Sequence, residues 1–132
     1  ILENFGNVNI NINSYINLVL VWNSGIAFGL LSFDQSEIYN LITIFIIFIN
    51  LLIVYLIIKL KDIRAYFFLI VLGGSLGNLF DRIYYSAVLD FIDISFKNFH
   101  WFIFNVADIF ISFGIICLIF AELLIYKRNH EN

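Results

Sequence analysis

Two aspartates stand in apolar surroundings where a carboxyl group is energetically unfavourable. Asp108 lies inside the run FNVADIFISFGIICLIF, and Asp90 lies in the string VLDFIDI, three residues before Asp93. An ionisable side chain in or beside a membrane span marks a candidate functional site. Two such carboxyls from different segments predict a carboxylate pair that works at the edge of a bilayer. Taken alone, Asp90 would be an ordinary solvated turn residue, and the nearby Asp93 could be confused with it.

The composition is that of a membrane protein. Hydrophobic residues make up 62% of the 132 positions and charged residues 13%, whereas soluble domains have roughly half and a quarter. The length predicts one domain, residues 1–132. A net charge of −3 offers no basic patch for nucleic acid. The single cysteine, Cys117, excludes a disulfide within the chain.

Three apolar runs can cross a bilayer, which takes about 20 helical residues. They cover residues 38–58, 65–80 and 104–126. The second run is too short to cross a full bilayer. We therefore expect its helix either to extend through the polar residues at its end or to thin the bilayer around it. Asp34 and Glu37 suit the N-cap and capping-box positions of the first helix.

Residues 8–22 follow a different pattern. Val8, Ile10 and Ile12 alternate with asparagines before the run LVLVW, and this period of two is typical of a strand. An unpaired strand edge cannot lie in lipid. We therefore expect residues 8–33 to form a small cradle outside the hydrocarbon. The predicted fold class is an all-α membrane protein with three transmembrane helices here and a small extracytoplasmic β-sheet.

Basic residues indicate the orientation. Five of the seven fall in the 59–64 loop or at 127–128, and the positive-inside rule places both segments in the cytoplasm. The 81–103 loop, with Asp90 and the outer end of the Asp108 helix, is then outside. The chain contains no methionine and opens without a signal peptide. We therefore expect one more helix upstream, and four in the intact protein.

Glycines and polar residues mark the outer end of the second span. Gly73 and Gly77 form a small-xxx-small pair, which predicts close helix packing. Asn78 and Arg82 are four residues apart and share a helix face. The Arg82 side chain could extend to lipid headgroups, or it could orient a carboxylate or a substrate carbonyl.

Two further polar strings flank the acids. Asn105 and Asp108 share a helix face at the start of the third span. An N-cap is the alternative role for Asn105, and an acid favoured by the helix dipole is the alternative for Asp108. Asn23 and Gly25, in the string NSGIAF, suit a turn.

These four strings, in this order, resemble the motifs of the lipoprotein signal peptidases (signal peptidase II), which are bacterial inner-membrane aspartyl peptidases. The motifs N-x-G-x-A-F, G-G-x-x-G-N-x-x-D-R, V-x-D-F and F-N-x-A-D match residues 23–28, 73–82, 88–91 and 104–108. The resemblance covers essentially the whole chain, and the set is highly specific. The family's first helix, with its Asp and Lys motif, has no counterpart here, since the string at 34–37 precedes a later span.

The resemblance implies that Asp90 and Asp108 are the catalytic dyad. Two carboxyls held close together cannot both ionise easily, so they share a proton and titrate as a coupled pair. The ionised member takes a proton from the attacking water, and the protonated member polarises the scissile carbonyl. No metal or other cofactor is needed. Five residues are expected to hold the dyad or bind the substrate: Asn23, Gly25, Asn78, Arg82 and Asn105.

The resemblance also implies the substrate. It is a prolipoprotein that carries diacylglycerol on its lipobox cysteine, and the bond before that cysteine is cut. The acyl chains stay in the bilayer of the inner membrane while the scissile bond lies at its extracytoplasmic surface. We expect a monomer, with Trp22, Phe28 and Phe33 facing lipid or acyl chain.

Three alternatives remain from the residues themselves. A proton-coupled carrier subunit also uses paired intramembrane acids, but it usually places them near the midplane of the bilayer. A serine triad needs a histidine beside a serine, and His100 and His130 are the two histidines of the chain. A zinc site would lack enough histidine and cysteine ligands.

Overall fold

The computed structural model describes residues 9–25, 36–97 and 99–130. Within them the fold has three helices and four strands, and this confirms the predicted class. Phe28, Phe33 and Asp34 lie outside the described residues. In chain order the elements are β1 (Ile10–Asn11), β2 (Ile16–Asn23), α1 (Ser36–Lys59), α2 (Ile63–Tyr85), β3 (Val88–Phe96), β4 (Phe99–Phe104) and α3 (Val106–His130).

The three helices are long and apolar enough to cross a membrane. Large apolar side chains on them are exposed; Phe48, for example, is 62% exposed. Such surface is unfavourable in water but suits hydrocarbon. Helix α2 has 23 residues and continues past Phe80 to Tyr85. The second span therefore includes the polar residues at its end, which is the first of the two expected alternatives.

The chain divides into two compact units. The sheet unit comprises Ile1–Thr43 and Leu79–Asn105, and the helical unit comprises Ile44–Asn78 and Val106–Asn132. Asp90 belongs to the first unit and Asp108 to the second.

The sheet has the strand order β1-β2-β3-β4, and every neighbouring pair is antiparallel. Residues 88–97 and 99–103, which the sequence suggested were part of a loop, form most of the β3–β4 hairpin. Lys97, with φ of 46°, lies at its turn. The period-two signal of β3 was hidden because several of its buried residues are polar, including Asp90, Asp93 and Ser95.

A β-bulge interrupts the pairing of β2 with β3. Leu18 pairs with Ile92 and Val21 pairs with Asp90. Two residues of β2 therefore stand opposite a single residue of β3 between these pairs. The extra residue lies in β2, so the alternation of side chains along β3 is undisturbed there.

The bulge decides which face of the sheet the asparagines of β2 occupy. On a regular strand Asn17 and Asn23, six positions apart, would share a face. Here Asn17 pairs with Asp93 and Asn23 pairs with Val88. Val88 shares its face with Asp90, whereas Asp93 points to the other face. The two asparagines thus reach opposite sides of the sheet.

Candidate active site

Asp90 is buried in the middle of β3, where two amides hold its carboxyl group. Asn23 Nδ2 donates to Oδ2 at 2.9 Å, and Asn105 Nδ2 donates to Oδ1 at 2.8 Å. The residue is only 2% exposed. Each carboxyl oxygen therefore has an amide donor, as a buried charged group requires.

A turn after β2 fixes the direction of the Asn23 side chain. The backbone N–H of Gly25 donates to Asn23 Oδ1 at 2.8 Å, which is an Asx-turn contact. Because this carbonyl oxygen is engaged, the amide NH₂ group faces Asp90. Gly25 thus orients the amide of Asn23, and Asn23 in turn holds Asp90.

Asn105 is the single residue between the end of β4 and the start of α3. This position suits an N-cap, the alternative role considered for it from the sequence. Its side chain is 5% exposed and donates to Asp90. Asp108 follows three positions later. The segment 105–108 therefore supplies both a hydrogen-bond donor to the Asp90 carboxyl group and the Asp108 carboxyl group itself.

Asp108 lies in the first turn of α3 and is 2% exposed. Asn78 Nδ2, from α2, donates to Asp108 Oδ1 at 2.9 Å. This contact requires the two helices to approach closely. A Cβ atom added at Gly74 would lie 2.6 Å from the Ala107 carbonyl oxygen and 2.8 Å from Ile111 Cγ1. The absence of a side chain at Gly74 therefore permits the approach.

The predicted pairing of Gly73 with Gly77 as the packing face was wrong. A Cβ at Gly73 would meet nothing within 4 Å, and one at Gly77 would make an ordinary 3.7 Å contact with Ala107. Gly74 and Gly114 are the crowded positions instead; a Cβ at Gly114 would lie 2.5 Å from Val71 Cγ2. Spacing identifies a helix face, but it does not say which face meets the neighbouring helix.

Arg82 is buried beside Tyr39 in the sheet unit. Arg82 is 3% exposed, and its guanidinium lies over the Tyr39 ring at 5.4 Å from the centroid. The Tyr39 hydroxyl donates to the Arg82 carbonyl oxygen at 3.0 Å. In the part of the chain that the structure describes, Arg82 Nη1 has no hydrogen-bond partner. Sequence reasoning missed Tyr39, because a lone tyrosine in an apolar helix gives no signal.

The sheet unit brings together five of the seven predicted site residues, and the helical unit brings together the other two. The first group is Asn23, Gly25, Arg82, Asp90 and Asn105; the second is Asn78 and Asp108. No cluster of three or more His, Cys, Asp or Glu side chains that could hold a metal occurs among residues 9–25, 36–97 and 99–130.

Known proteins match nearly the whole chain. A family model described as signal peptidase (SPase) II matches residues 1–124. The lipoprotein signal peptidase of Pelagibacter ubique is 53% identical over 127 residues, which cover 95% of this chain and 76% of that protein. The lipoprotein signal peptidase of Francisella tularensis subsp. novicida is 40% identical over 125 residues, covering 91% and 77%.

Solved structures agree with these matches. One bacterial membrane enzyme, determined by the in meso method at 2.3 Å, has a TM-score of 0.71 and 30% identity; the alignment covers 93% of this chain and 74% of that one. A second, at 1.9 Å, has a TM-score of 0.70 and 28% identity, with coverage of 93% and 80%. The chain belongs to the signal peptidase II family of aspartic peptidases, whose activity is the removal of signal peptides from prolipoproteins.

Proposed function

We propose that Asp90 and Asp108 form the catalytic pair that cuts a diacylglyceryl-prolipoprotein just before its lipidated cysteine. The observation that carries this proposal is that three asparagine side chains hold two buried carboxyls. Asn23 and Asn105 hold Asp90, and Asn78 holds Asp108. Fixed carboxyls in a partly desolvated position are suited to general acid–base chemistry.

The hydrogen bonds suggest how the two acids divide the work. Both oxygens of Asp90 accept from amides, which favours its carboxylate form. Asp90 then takes a proton from water, whose oxygen attacks the scissile carbonyl carbon. Asp108 gives its proton to the carbonyl oxygen as the tetrahedral intermediate forms. When the C–N bond breaks, Asp90 gives the proton it took from water to the leaving nitrogen, and Asp108 takes its proton back from a hydroxyl of the intermediate as the new carboxyl group forms. Both acids thus return to their starting state.

Arg82 is proposed to bind the substrate backbone. Its buried Nη1 has a free donor within the described residues, and Tyr39 fixes the position of its guanidinium. A substrate carbonyl is a suitable acceptor for that donor. Asn23, Gly25 and the other asparagines of the site act mainly by holding the carboxyls.

We also propose that the active site faces the extracytoplasmic side of the inner membrane. Arg64, in the first turn of α2, contacts Asp62 at 2.7 Å and Glu122, near the end of α3, at 2.8 Å. This network lies at the basic ends of α2 and α3, which the positive-inside rule assigns to the cytoplasm. We propose that the enzyme acts as a monomer, because all the named site residues belong to one chain.

The test is cleavage of a purified diacylglyceryl-prolipoprotein by the enzyme in liposomes. Asp90→Asn and Asp108→Asn should each lower kcat by at least about 100-fold, the lower range for loss of a general acid or base. Glu122→Gln, which changes an exposed carboxyl remote in sequence from the site motifs, is the matched control and should cleave normally. Near-normal turnover by either aspartate variant would refute the pairing.

A further inference from the structure

The sheet carries a second buried acid on the face opposite Asp90. Asp93 follows Asp90 by three residues along β3, so their side chains leave opposite faces. Asp93 is 0% exposed. Apolar residues share the Asp90 face toward the hairpin end of the sheet, as the cross-strand pairs show. They are Ile16, Leu18, Ile92, Ile94, Phe96, Phe99 and Phe102. On the Asp93 face the polar residues gather at the hairpin end, namely Asn11, Asn17, Ser95 and His100, while Ile103 stands opposite Asp93 and Trp22 opposite Leu89.

Asp93 lies at the centre of a polar cluster from three strands. Asn17 Nδ2 lies 3.2 Å from Asp93 Oδ2 and 2.8 Å from Ser95 Oγ. His100 Nδ1 lies 2.6 Å from the same carboxylate oxygen of Asp93. A carboxylate accepts, so His100 Nδ1 carries the donated proton, and Nε2 on the other side of the ring is left for another partner.

This cluster is not a serine triad, although it contains the three residue types. His100 and Ser95 are cross-strand partners, but the hydrogen bond of the His100 ring within the described residues runs from Nδ1 to Asp93 and not to Ser95. The Ser95 hydroxyl accepts from Asn17 and is buried. A buried serine that no base contacts is not an activated nucleophile.

His100 instead lines a groove of about 800 Å³ at the hairpin end of the sheet. The groove presents amides, hydroxyls and one ammonium group beside the stacked rings of Tyr15 and Phe96. Its polar lining includes Asn9, Asn11, Ser14, Asn17, Lys97 and His100. Within the described residues no carboxylate lines it, because Asp93 lies beneath the surface. His100 has a side chain that is 55% exposed. The groove therefore offers hydrogen-bond donors and positive charge to an extended, acidic ligand.

The groove is within reach of a chain that passes the active site. Asp90 and Lys97 are seven residues apart along the same hairpin strand, a distance of about 23 Å. A prolipoprotein must leave the bilayer on the C-terminal side of its lipidated cysteine. About seven extended residues span up to about 25 Å, enough to reach Lys97 from the active site.

We infer that this groove binds an acidic stretch of the mature side of the prolipoprotein, within the first several residues after the lipidated cysteine. Lys97 Nζ donates to its carboxylates, and the imidazolium form of His100 donates from Nε2 while Nδ1 stays bonded to Asp93. Asp93 is the positioning residue that turns His100 outward. The inference rests on the proposed function and extends it from the scissile bond to the segment beyond.

The test uses two prolipoprotein substrates that are identical up to the lipidated cysteine. Residues three to eight after it are Asp and Glu in one and Asn and Gln in the other. The unmodified enzyme should have the lower KM for the acidic substrate, with equal kcat. Lys97→Gln and His100→Gln should each raise the KM for the acidic substrate by about threefold to fivefold, as expected for an exposed ion pair. The KM for the neutral substrate should be unchanged.

Lys61→Gln, in the α1–α2 loop, is the matched control and should alter neither KM. Equal KM values for the two substrates with the unmodified enzyme would overturn the inference. So would variants that raise both KM values alike, because that result indicates only a structural role for the hairpin.

A binding measurement separates this inference from the proposed function. A six-residue peptide of Asp and Glu, without lipid or scissile bond, should bind the full chain in detergent more tightly than its Asn and Gln counterpart. Lys97→Gln should remove the difference. If neither prolipoprotein were cut but the acidic peptide still bound through Lys97, the peptidase proposal would fail while the proposal of an acidic-peptide groove would be supported. Equal binding of the two peptides would reject the groove.

Discussion

Gly74 provides the sharpest test of how the helical unit holds its carboxyl. In Gly74→Ala the new Cβ would lie 2.6 Å from the Ala107 carbonyl oxygen, about 0.8 Å inside ordinary contact at 3.4 Å. The obstacle is helix backbone, so it cannot rotate away as a side chain can. Overpacking of this kind typically costs about 1–3 kcal/mol. A gain of about 0.5–1 kcal/mol in helix propensity offsets part of it.

Gly73→Ala is the matched control, because it makes the same chemical change at the adjacent position. A Cβ there would meet nothing within 4 Å, so only the propensity gain of about 0.5–1 kcal/mol applies. The two variants should therefore shift the melting temperature in detergent in opposite directions. Each kcal/mol corresponds to a change of about 4 °C for a domain of this size.

Activity should follow the same contrast. Ala107 precedes Asp108, and Asn78 lies one turn after Gly74, so parting the helices should loosen the 2.9 Å contact between Asn78 and Asp108. Gly74→Ala should lower kcat in the liposome assay, whereas Gly73→Ala should cleave normally. If both variants had the same melting temperature and turnover, the close approach at Gly74 would not matter and the packing argument would be wrong.

Three further changes test other parts of the molecule. Hydrogen bonds from its arginine partner lower the pKa of Asp62 from 3.8 to about 2, so its stabilisation is present above pH 3.8 and is lost as the pH falls through about 2. Asp62→Asn should therefore lower the melting temperature at pH 7, with the difference disappearing near pH 2; a constant difference would contradict this. Asp93→Asn should lower thermal stability but leave the kcat for a neutral substrate nearly unchanged, and loss of turnover in a folded variant would place Asp93 in the chemistry. In a Cys117→Ala background, an impermeant maleimide added to intact cells should label Lys97→Cys but not Lys61→Cys, and the reverse would invert the topology.

Local signals in the sequence account for the elements that were predicted well. The apolar runs of α1 and α3 and the alternation before Trp22 each lie within one short segment. The β3–β4 hairpin was missed because the face of β3 that should read as apolar carries Asp90, and the other carries Asp93. A polar side chain that is buried because it bonds to a residue on another strand cannot be distinguished from an exposed one by the local sequence.

The contacts of the site depended on distant partners. Asn23 and Asp90 are 67 positions apart, so their bond could not be inferred from spacing. The motifs singled out both residues, but they did not say that one holds the other. Asp93 was given no role for the same reason, since its hydrogen-bond partners Asn17 and His100 lie on two other strands.

The bulge in β2 makes this strand tolerant of losing one residue during evolution. Deleting Val19 or Leu20 would remove the extra residue and restore a regular ladder in which Asn17 still pairs with Asp93 and Asn23 still pairs with Val88. The two asparagines would then be five positions apart, and an odd spacing on a regular strand also places them on opposite faces. Relatives that are one residue shorter between the asparagines can therefore keep both contacts. A loss of two residues would turn one of the two amides to the wrong face.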